Sequence, residues 1–425
     1  MESLLEGLYA QYLEHPIIST DTRNLIPNSI FFALKGERFN ANAFAAFALD
    51  NGCVLAVVDD PNVAVDNRYI LVDDVTTCLQ DLATHHRKQL DIPVIGITGT
   101  NGKTTTKELL NAVLSTQFKT HATQGNFNNH IGVPLTILST PKDTEILIVE
   151  MGANHAGEIA ELCEISQPNF GLITSLGLAH LEGFGSFETI VETKTALYRS
   201  VKKNNGLVFV NNEIDRLMAY SEHQNRLMYG SEHGDFTGSL VDDGIFVSLS
   251  YKSQIIRTKL TGDYNFSNVL AACAIGDYFK VSLENIKQGL ENYTPSNNRS
   301  QLVKTDKNTL ILDAYNANPT STKAALESFA KLNCDKKFFV LGDMLELGND
   351  SLAEHQHIFA LVQKLTLREG IFVGDIFQSL TFGNVKTFKN ADEARDFLIK
   401  QTFDGYTFLI KGSRGIRLET VIDVL

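Results

Sequence analysis

The sequence predicts a three-domain α/β protein, and three observations carry that prediction. Short β-rich runs alternate with helical patterns along most of the chain, which argues for layers built on parallel strands. An apolar run feeds a glycine-rich turn at 99–102 and then a helix-forming segment, the order that builds a phosphate loop. A polar, proline-bearing stretch, Tyr293-Thr294-Pro295-Ser296-Asn297-Asn298, reads as a linker, after which the strand and helix rhythm begins again. At ~100–200 residues per domain, 425 residues allow two to four domains.

The first block, residues 1–85, is a small α/β domain with strands expected at 29–34, 54–58 and 69–72. The second, 86–294, holds the phosphate loop and apolar strands at 146–150, 170–174 and 207–211. Within it, 231–261 reads as a small antiparallel insert turning at Asp242-Asp243-Gly244, and a helix follows at 265–279. The third, 295–425, alternates strands at 309–314, 337–342, 370–373 and 406–411 with helices at 321–332, 355–365 and 391–401. That pattern predicts a Rossmann-like, doubly wound sheet. It carries no Gly-x-Gly-x-x-Gly fingerprint, so no nicotinamide or flavin site is expected.

Composition narrows the function. A hydrophobic content of 43% with 20% charged residues describes an ordinary globular chain able to bury several cores. The net charge of −13 argues against nonspecific binding of nucleic acid or anionic membrane. Any anionic ligand must be held by local cations, backbone amides or metal. Met1-Glu2-Ser3-Leu4-Leu5-Glu6 lacks the pattern of a signal peptide, and no apolar run approaches the ~18 residues of a membrane span. A cytoplasmic protein is expected. The five cysteines are scattered without metal-ligand spacing and read as buried, reduced thiols with no chemistry.

The phosphate loop is the strongest chemical signal. Gly99 and Gly102 permit close backbone approach, and the amides of Thr100, Asn101 and their neighbours converge on phosphate oxygens. Lys103 reaches the terminal phosphates, Thr104 can hold magnesium, and Thr105 completes the turn into the helix. Strict spacing asks for glycine at position 97, where the chain has Ile97. Further polar residues fall at strand ends, where ligands of open α/β sheets gather. Glu150 ends a buried run, well placed to ligate magnesium, the alternative being a helix-capping or salt-bridged glutamate. His180, read by itself, is a structural histidine more often than a ligand. Lys194, in a helical segment, reads by default as a solvated face residue, and Asn265 and Asn268 as helix-opening caps. Asp313-Ala314-Tyr315-Asn316-Ala317-Asn318-Pro319 reads as a loop presenting side chains to a ligand. Lys411-Gly412-Ser413-Arg414-Gly415 reads as a doubly cationic loop for a carboxylate or phosphate. Because these segments come from different blocks, a cleft between domains is expected, closing on its ligands.

Taken together, Gly99-Thr100-Asn101-Gly102-Lys103-Thr104-Thr105, Glu150-Met151-Gly152-Ala153, Ala179-His180-Leu181-Glu182 and Asn265-Phe266-Ser267-Asn268 resemble segments of the Mur ligases. These ATP-dependent enzymes extend the peptide of the bacterial cell-wall precursor, and the resemblance spans essentially the whole chain. The 313–319 and 411–415 segments, with Leu341-Gly342-Asp343-Met344-Leu345-Glu346-Leu347-Gly348 and Asn126-Phe127-Asn128-Asn129-His130-Ile131-Gly132-Val133-Pro134, are similar to the branch that adds D-alanyl-D-alanine. The Asp-Asn-Pro-Arg motif of the branch adding the third amino acid does not occur in the chain.

The resemblance implies roles for individual residues. Lys103 and Thr104 match the phosphate-loop lysine and hydroxyl, and Glu150 a ligand of the magnesium between the ATP phosphates. His180 matches a histidine on a second magnesium, and Lys194 the lysine carried as a carbamate. Asn268 matches an adenine-side asparagine. Arg299 matches an arginine after the domain linker, although Asn298-Arg299 stands where the family has Gly-Arg. Asp313 and Asn316 match residues facing ATP and substrate, and Lys411 and Arg414 a loop near the incoming dipeptide. Asn128 and Asn129, in the 126–134 segment similar to the D-alanyl-D-alanine branch, are expected to bind substrate. In the first domain, 19–23 with Ser19 and Arg23, and 32–36, resemble a uridine-nucleotide segment. The stretch 40–44 departs from the family's Asp-Gly-His-x-Phe.

The implied reaction joins D-alanyl-D-alanine to UDP-N-acetylmuramoyl-tripeptide with ATP and two Mg²⁺ ions, through an acyl phosphate, in a monomer. The base for the incoming amine has no candidate in the sequence. The alternatives are a sister ligase adding a single amino acid, a folylpolyglutamate-synthase-like ligase, or a nucleotide-binding protein without turnover. Lys103, Glu150, His180 and Lys194 occurring together speak against the last.

Overall fold

The computed structural model describes residues 2–36, 39–380 and 385–425; Met1, the start of the amino-terminal stretch read above, lies outside them. Helix α1 (Glu2–Glu14) precedes a four-stranded parallel sheet in the order β1 (Ile18–Ser19), β2 (Ile30–Phe32), β3 (Leu55–Val58) and β4 (Tyr69–Leu71). Helix α2 (Val75–Gln89), capped by the Asp74 side chain on the Thr77 amide, leads out of this unit. It is also the joint to the next. Arg87 donates to the carbonyls of Ser166 (2.9 Å), Gln167 (3.0 Å) and Leu90 (2.8 Å), and Tyr12 of α1 donates to Leu138 O at 2.6 Å.

The central sheet starts at β5 (Val94–Thr98), followed by α3 (Lys103–Leu114), β6 (Thr120–Ala122), β7 (Ile146–Glu150) and β8 (Phe170–Ile173). Then come α4 (Phe187–Lys203), β9 (Leu207–Asn211), β10 (Arg226–Gly230), β11 (Phe236–Val241), β12 (Phe246–Tyr251), β13 (Gln254–Thr261) and α5 (Phe266–Tyr278). The nine strands lie in the order β13-β12-β11-β10-β9-β8-β5-β7-β6. Residues of β5 and β7 are buried throughout, as expected of parallel strands covered on both faces. The insert is antiparallel across β11, β12 and β13, but β11 pairs in parallel with β10, so the insert continues the main sheet.

The last unit is a six-stranded sheet in the order β14-β15-β19-β16-β17-β18. Its strands are β14 (Gln301–Lys304), β15 (Thr309–Asp313), β16 (Lys337–Gly342), β17 (Gly370–Val373), β18 (Lys386–Phe388) and β19 (Thr407–Lys411). All its pairings are parallel except β14 with β15. Helix α6 (Pro319–Lys331) starts with proline in its first turn and a capping box between Asn318 and Ser321. The short strands β6, β14 and β18 were not expected, because three or four residues leave too little alternation to read. Of the five cysteines, Cys334 is only half-buried rather than buried.

Candidate active site

The phosphate loop is built by close packing against the end of β8. Gly99 has φ +149°, and a Cβ there would meet Thr174 Oγ1 at 2.1 Å. Gly102, left-handed at φ +84°, starts α3, and a Cβ there would meet Asn268 Oδ1 at 2.6 Å. The loop is then tied down: the Thr100 amide donates to Ser175 O (3.0 Å), the Asn101 amide to Ser175 Oγ (2.8 Å), and Thr174 Oγ1 to Asn101 O (2.6 Å). Ile97 lies inside β5, paired with Glu150 of β7, so the turn starts at Gly99 and position 97 needs no glycine. Lys103 folds back onto its own loop, donating to Gly99 O (2.8 Å) and Thr100 O (3.2 Å). Burial lowers its ammonium pKa, and the Glu150 charge opposes that shift.

Glu150, buried at the end of β7, uses its two carboxylate oxygens unequally. Oε1 accepts from Thr104 Oγ1 (3.1 Å) and Asn128 Nδ2 (2.8 Å), whereas Oε2 is buried without a partner. A buried carboxylate oxygen left bare beside a threonine hydroxyl and a phosphate loop is the donor set a hard, oxygen-seeking cation completes. Magnesium fits: it binds through one or two carboxylates and takes its remaining ligands from phosphate and water. Asn129 instead accepts the amides of Ile131 (3.2 Å) and Gly132 (2.9 Å), a turn-forming role.

His180 sits in a left-handed conformation (φ 51°), and its Nδ1 lies 2.5 Å from Glu346 Oε2 of the third unit. That contact holds the Glu346 carboxyl below the usual range. Lys194 corrects the sequence reading. It is buried on α4 at 3% exposure, its Nζ 5.8 Å from the centre of the Phe184 ring, and among the described residues it forms no ion pair. Burial first, then the charge of Lys103, bring its amine down to about 7. It has no solvated face because every residue of α4 from 193 to 198 is buried, α4 packing against the helix at 158–166, β8 and the helix at 181–184.

The opposite wall comes from the ends of β15, β16 and β19. Here the second correction falls: Lys411 is not a free cation. At 2% exposure it donates to Asp313 Oδ2 (2.6 Å) and Asn316 O (3.2 Å), so the loop presents one exposed cation, Arg414. The Asn316 side chain accepts the neighbouring Ala317 amide at 2.9 Å. The Tyr315 ring carries the Arg299 guanidinium at 3.5 Å from its centre and that of Arg414 at 5.5 Å. Asn318 Nδ2 reaches across to Asn101 Oδ1 at 2.8 Å, and the Leu178 amide reaches Thr320 Oγ1 at 3.2 Å.

Between these walls lies a cleft of about 740 Å³, lined by the phosphate loop, Asn128, Asn129, Glu150, His180, Asn268, Arg299, Asp313, Asn316, Lys411 and Arg414. Lys194 stands behind the lining. Ser19 and Arg23 are elsewhere: Ser19 is buried against Ser29 Oγ (2.8 Å), and Arg23 is an exposed partner of Asp21 (2.6 Å).

Comparison with known proteins gives this geometry a family. Residues 97–276 match the Mur ligase middle domain and 298–414 the Mur ligase glutamate ligase domain. A UDP-N-acetylmuramoyl-tripeptide–D-alanyl-D-alanine ligase of Bacillus subtilis (strain 168) is 37% identical over 436 aligned positions, spanning 99% of this chain and 95% of that protein. The chain belongs to the Mur ligase family.

Two solved Mur ligase structures share its architecture. MurF from Acinetobacter baumannii superposes with a TM-score of 0.86 at 33% identity, covering 96% of this chain and 92% of that one. The MurF ligase of Thermotoga maritima, solved with ADP, also gives 0.86, at 26% identity and 100% and 98% coverage. In this Mur ligase, sequence reasoning singled out neither Tyr315 nor Glu346, although both lie inside motifs that carry the resemblance. The available signal for Glu346 was its place four residues beyond the end of β16. What it touches belongs to another unit, and no local pattern reports that.

Proposed function

We propose that this Mur ligase joins D-alanyl-D-alanine to UDP-N-acetylmuramoyl-tripeptide, forming a peptide bond at the expense of ATP. The observation that carries the reading is the likeness to the Bacillus subtilis ligase over 99% of the chain, a length that includes both walls of the cleft. The Thermotoga maritima MurF ligase was solved in complex with ADP, which supports ATP as the nucleotide.

The tripeptide's terminal carboxylate attacks the γ-phosphorus of ATP, and ADP leaves. The dipeptide's amine then attacks the acyl carbon, loses a proton, and phosphate departs. An anionic nucleophile approaching an anionic phosphate makes charge neutralisation the main demand. Lys103 meets it by exchanging its two carbonyl partners for phosphate oxygens; Ser175 already takes the Thr100 and Asn101 amides and fixes the loop, so the amides left to phosphate are those further on, at the start of α3. Thr104 and the bare oxygen of Glu150 would hold one magnesium, with His180 and a carbamylated Lys194 at a second. Bound there, magnesium would neutralise phosphate charge. Lys194 suits carbamylation because an amine brought down to about 7 is substantially neutral at neutral pH, the form that adds CO₂. The resulting anion would also turn its repulsion with Lys103 into attraction. On the facing wall, Arg299 and Arg414 flank Tyr315 as cations free of carboxylate partners among the described residues.

The test is phosphate release from ATP and magnesium with UDP-N-acetylmuramoyl-tripeptide, with and without D-alanyl-D-alanine. Release that needs both, with a pentapeptide product by mass, is the expected result. Release with the dipeptide precursor and a single diamino acid instead would move the chain to a sister ligase.

A further inference from the structure

We propose that Glu346 is a positioning residue that sets the orientation of His180 from across the cleft, so that this part of the site is complete only when the third unit is docked. The inference rests on the proposed function in taking His180 as a site residue.

Both partners are held in unusual backbone geometry. Glu346 has φ 66° and His180 φ 51°, left-handed conformations that cost free energy for residues with a Cβ and persist only where surrounding contacts enforce them. The enforcement on the Glu346 side is visible. After β16, the Asp343 carboxylate accepts the amides of Ile376 and Phe377, each at 2.9 Å. The Met344 amide donates to His355 Nε2 (3.0 Å), the Leu345 amide to Ser413 Oγ (2.9 Å), and Ser413 returns its amide to Asp343 O (3.1 Å). Three successive residues are therefore anchored, and the fourth, Glu346, projects out of its unit to His180 Nδ1 at 2.5 Å. Its carbonyl also faces the Glu182 amide at 3.5 Å, bracketing the His180 turn.

A carboxylate on Nδ1 fixes the imidazole tautomer with the proton on that nitrogen. Nε2 is left as the lone-pair donor, free to face the cleft. The same seam carries the Asn101–Asn318 amide pair, so the phosphate loop and His180 are both braced by the third unit. The opposite possibility is a latch in which Glu346 withholds His180 from the cleft. It predicts effects of the opposite sign.

The experiment is a double-mutant cycle with Glu346→Ala and His180→Ala, scored by kcat/KM for phosphate release, together with Mn²⁺ affinity by electron paramagnetic resonance in the presence of a non-hydrolysable ATP analogue. Expected are a loss of about 10-fold or more in both readouts for Glu346→Ala and no further loss when Glu346→Ala is added to His180→Ala. Glu346→Gln, which keeps an acceptor for Nδ1–H, should retain most of the activity. Additive losses, or a Mn²⁺ affinity that is unchanged or tighter in Glu346→Ala, overturn the proposal. The Mn²⁺ comparison uses no acceptor or dipeptide, so a wrong substrate assignment shows in the wild-type assay and leaves this readout standing. Thermal unfolding of each variant separates misfolding from misorientation.

Discussion

Lys103 opens the helix after buried β5 and Lys411 ends buried β19; both line the same cleft, yet their surroundings differ in kind. Lys103 bonds only neutral carbonyls of its own loop, partners it can exchange for phosphate without leaving a buried charge alone. Lys411 is locked to the Asp313 carboxylate at 2.6 Å, with only 2% of its side chain exposed. Removing one member of such a pair strands the other. Lys103 keeps partners it can exchange, while Lys411 braces the loop that carries Asn316. Cationic residues at strand ends are not interchangeable candidates; their partners decide which are available.

The comparison breaks most sharply through the two alanine variants. Lys103→Ala should lower turnover by about 10²–10³-fold, the cost of losing one preorganised electrostatic contact. Its urea midpoint should change little. Lys411→Ala should instead cost about 3–5 kcal/mol of stability, read from urea unfolding. If turnover falls equally in both while both stay fully folded, the distinction between ligand and brace is wrong.

Lys194 sharpens it from behind the cleft. Its ordinary value is 10.5 and its folded value about 7, so between these the unfolded chain binds a proton the folded chain does not. Its contribution to stability is present above pH 10.5 and is lost as pH falls toward 7. Lys194→Met should flatten that pH dependence relative to wild type in CO₂-depleted buffer. Lys194→Ala activity should recover with added short carboxylic acids, and a fully active Lys194→Ala enzyme would count against the carbamate.

A smaller effect is expected at Gly102. Alanine there must adopt φ +84° and displace Asn268, costing about 1–2 kcal/mol from the backbone term and weakening ATP binding by calorimetry. The smallest is Arg23→Ala. Its exposed pair with Asp21 should leave the unfolding midpoint where it is, and any change in phosphate release would show in the KM for the UDP-linked acceptor.

Much of the central unit was legible because its information is local. The runs at 146–150 and 207–211 coincide with β7 and β9, and strand, glycine loop, lysine and helix are contiguous in sequence. The three-domain α/β reading and the Mur ligase resemblance stand for the same reason. Pairing was not legible. A burial pattern cannot say that Lys194 faces inward beneath Phe184, that Lys411 meets a carboxylate 98 positions away, or that Tyr315 carries two guanidinium groups.

The sequence by itself determined the longer strands and helices, the phosphate loop and its lysine, and the family, because each depends on neighbours along the chain. Only the tertiary structure decided which charges are spent and which remain. It brought Asp313 to Lys411, Asn318 to Asn101 and Glu346 to His180, and left one oxygen of Glu150 bare. Those outcomes follow from strand order and domain docking, and they fix the electrostatics of the cleft through contacts between residues distant in sequence.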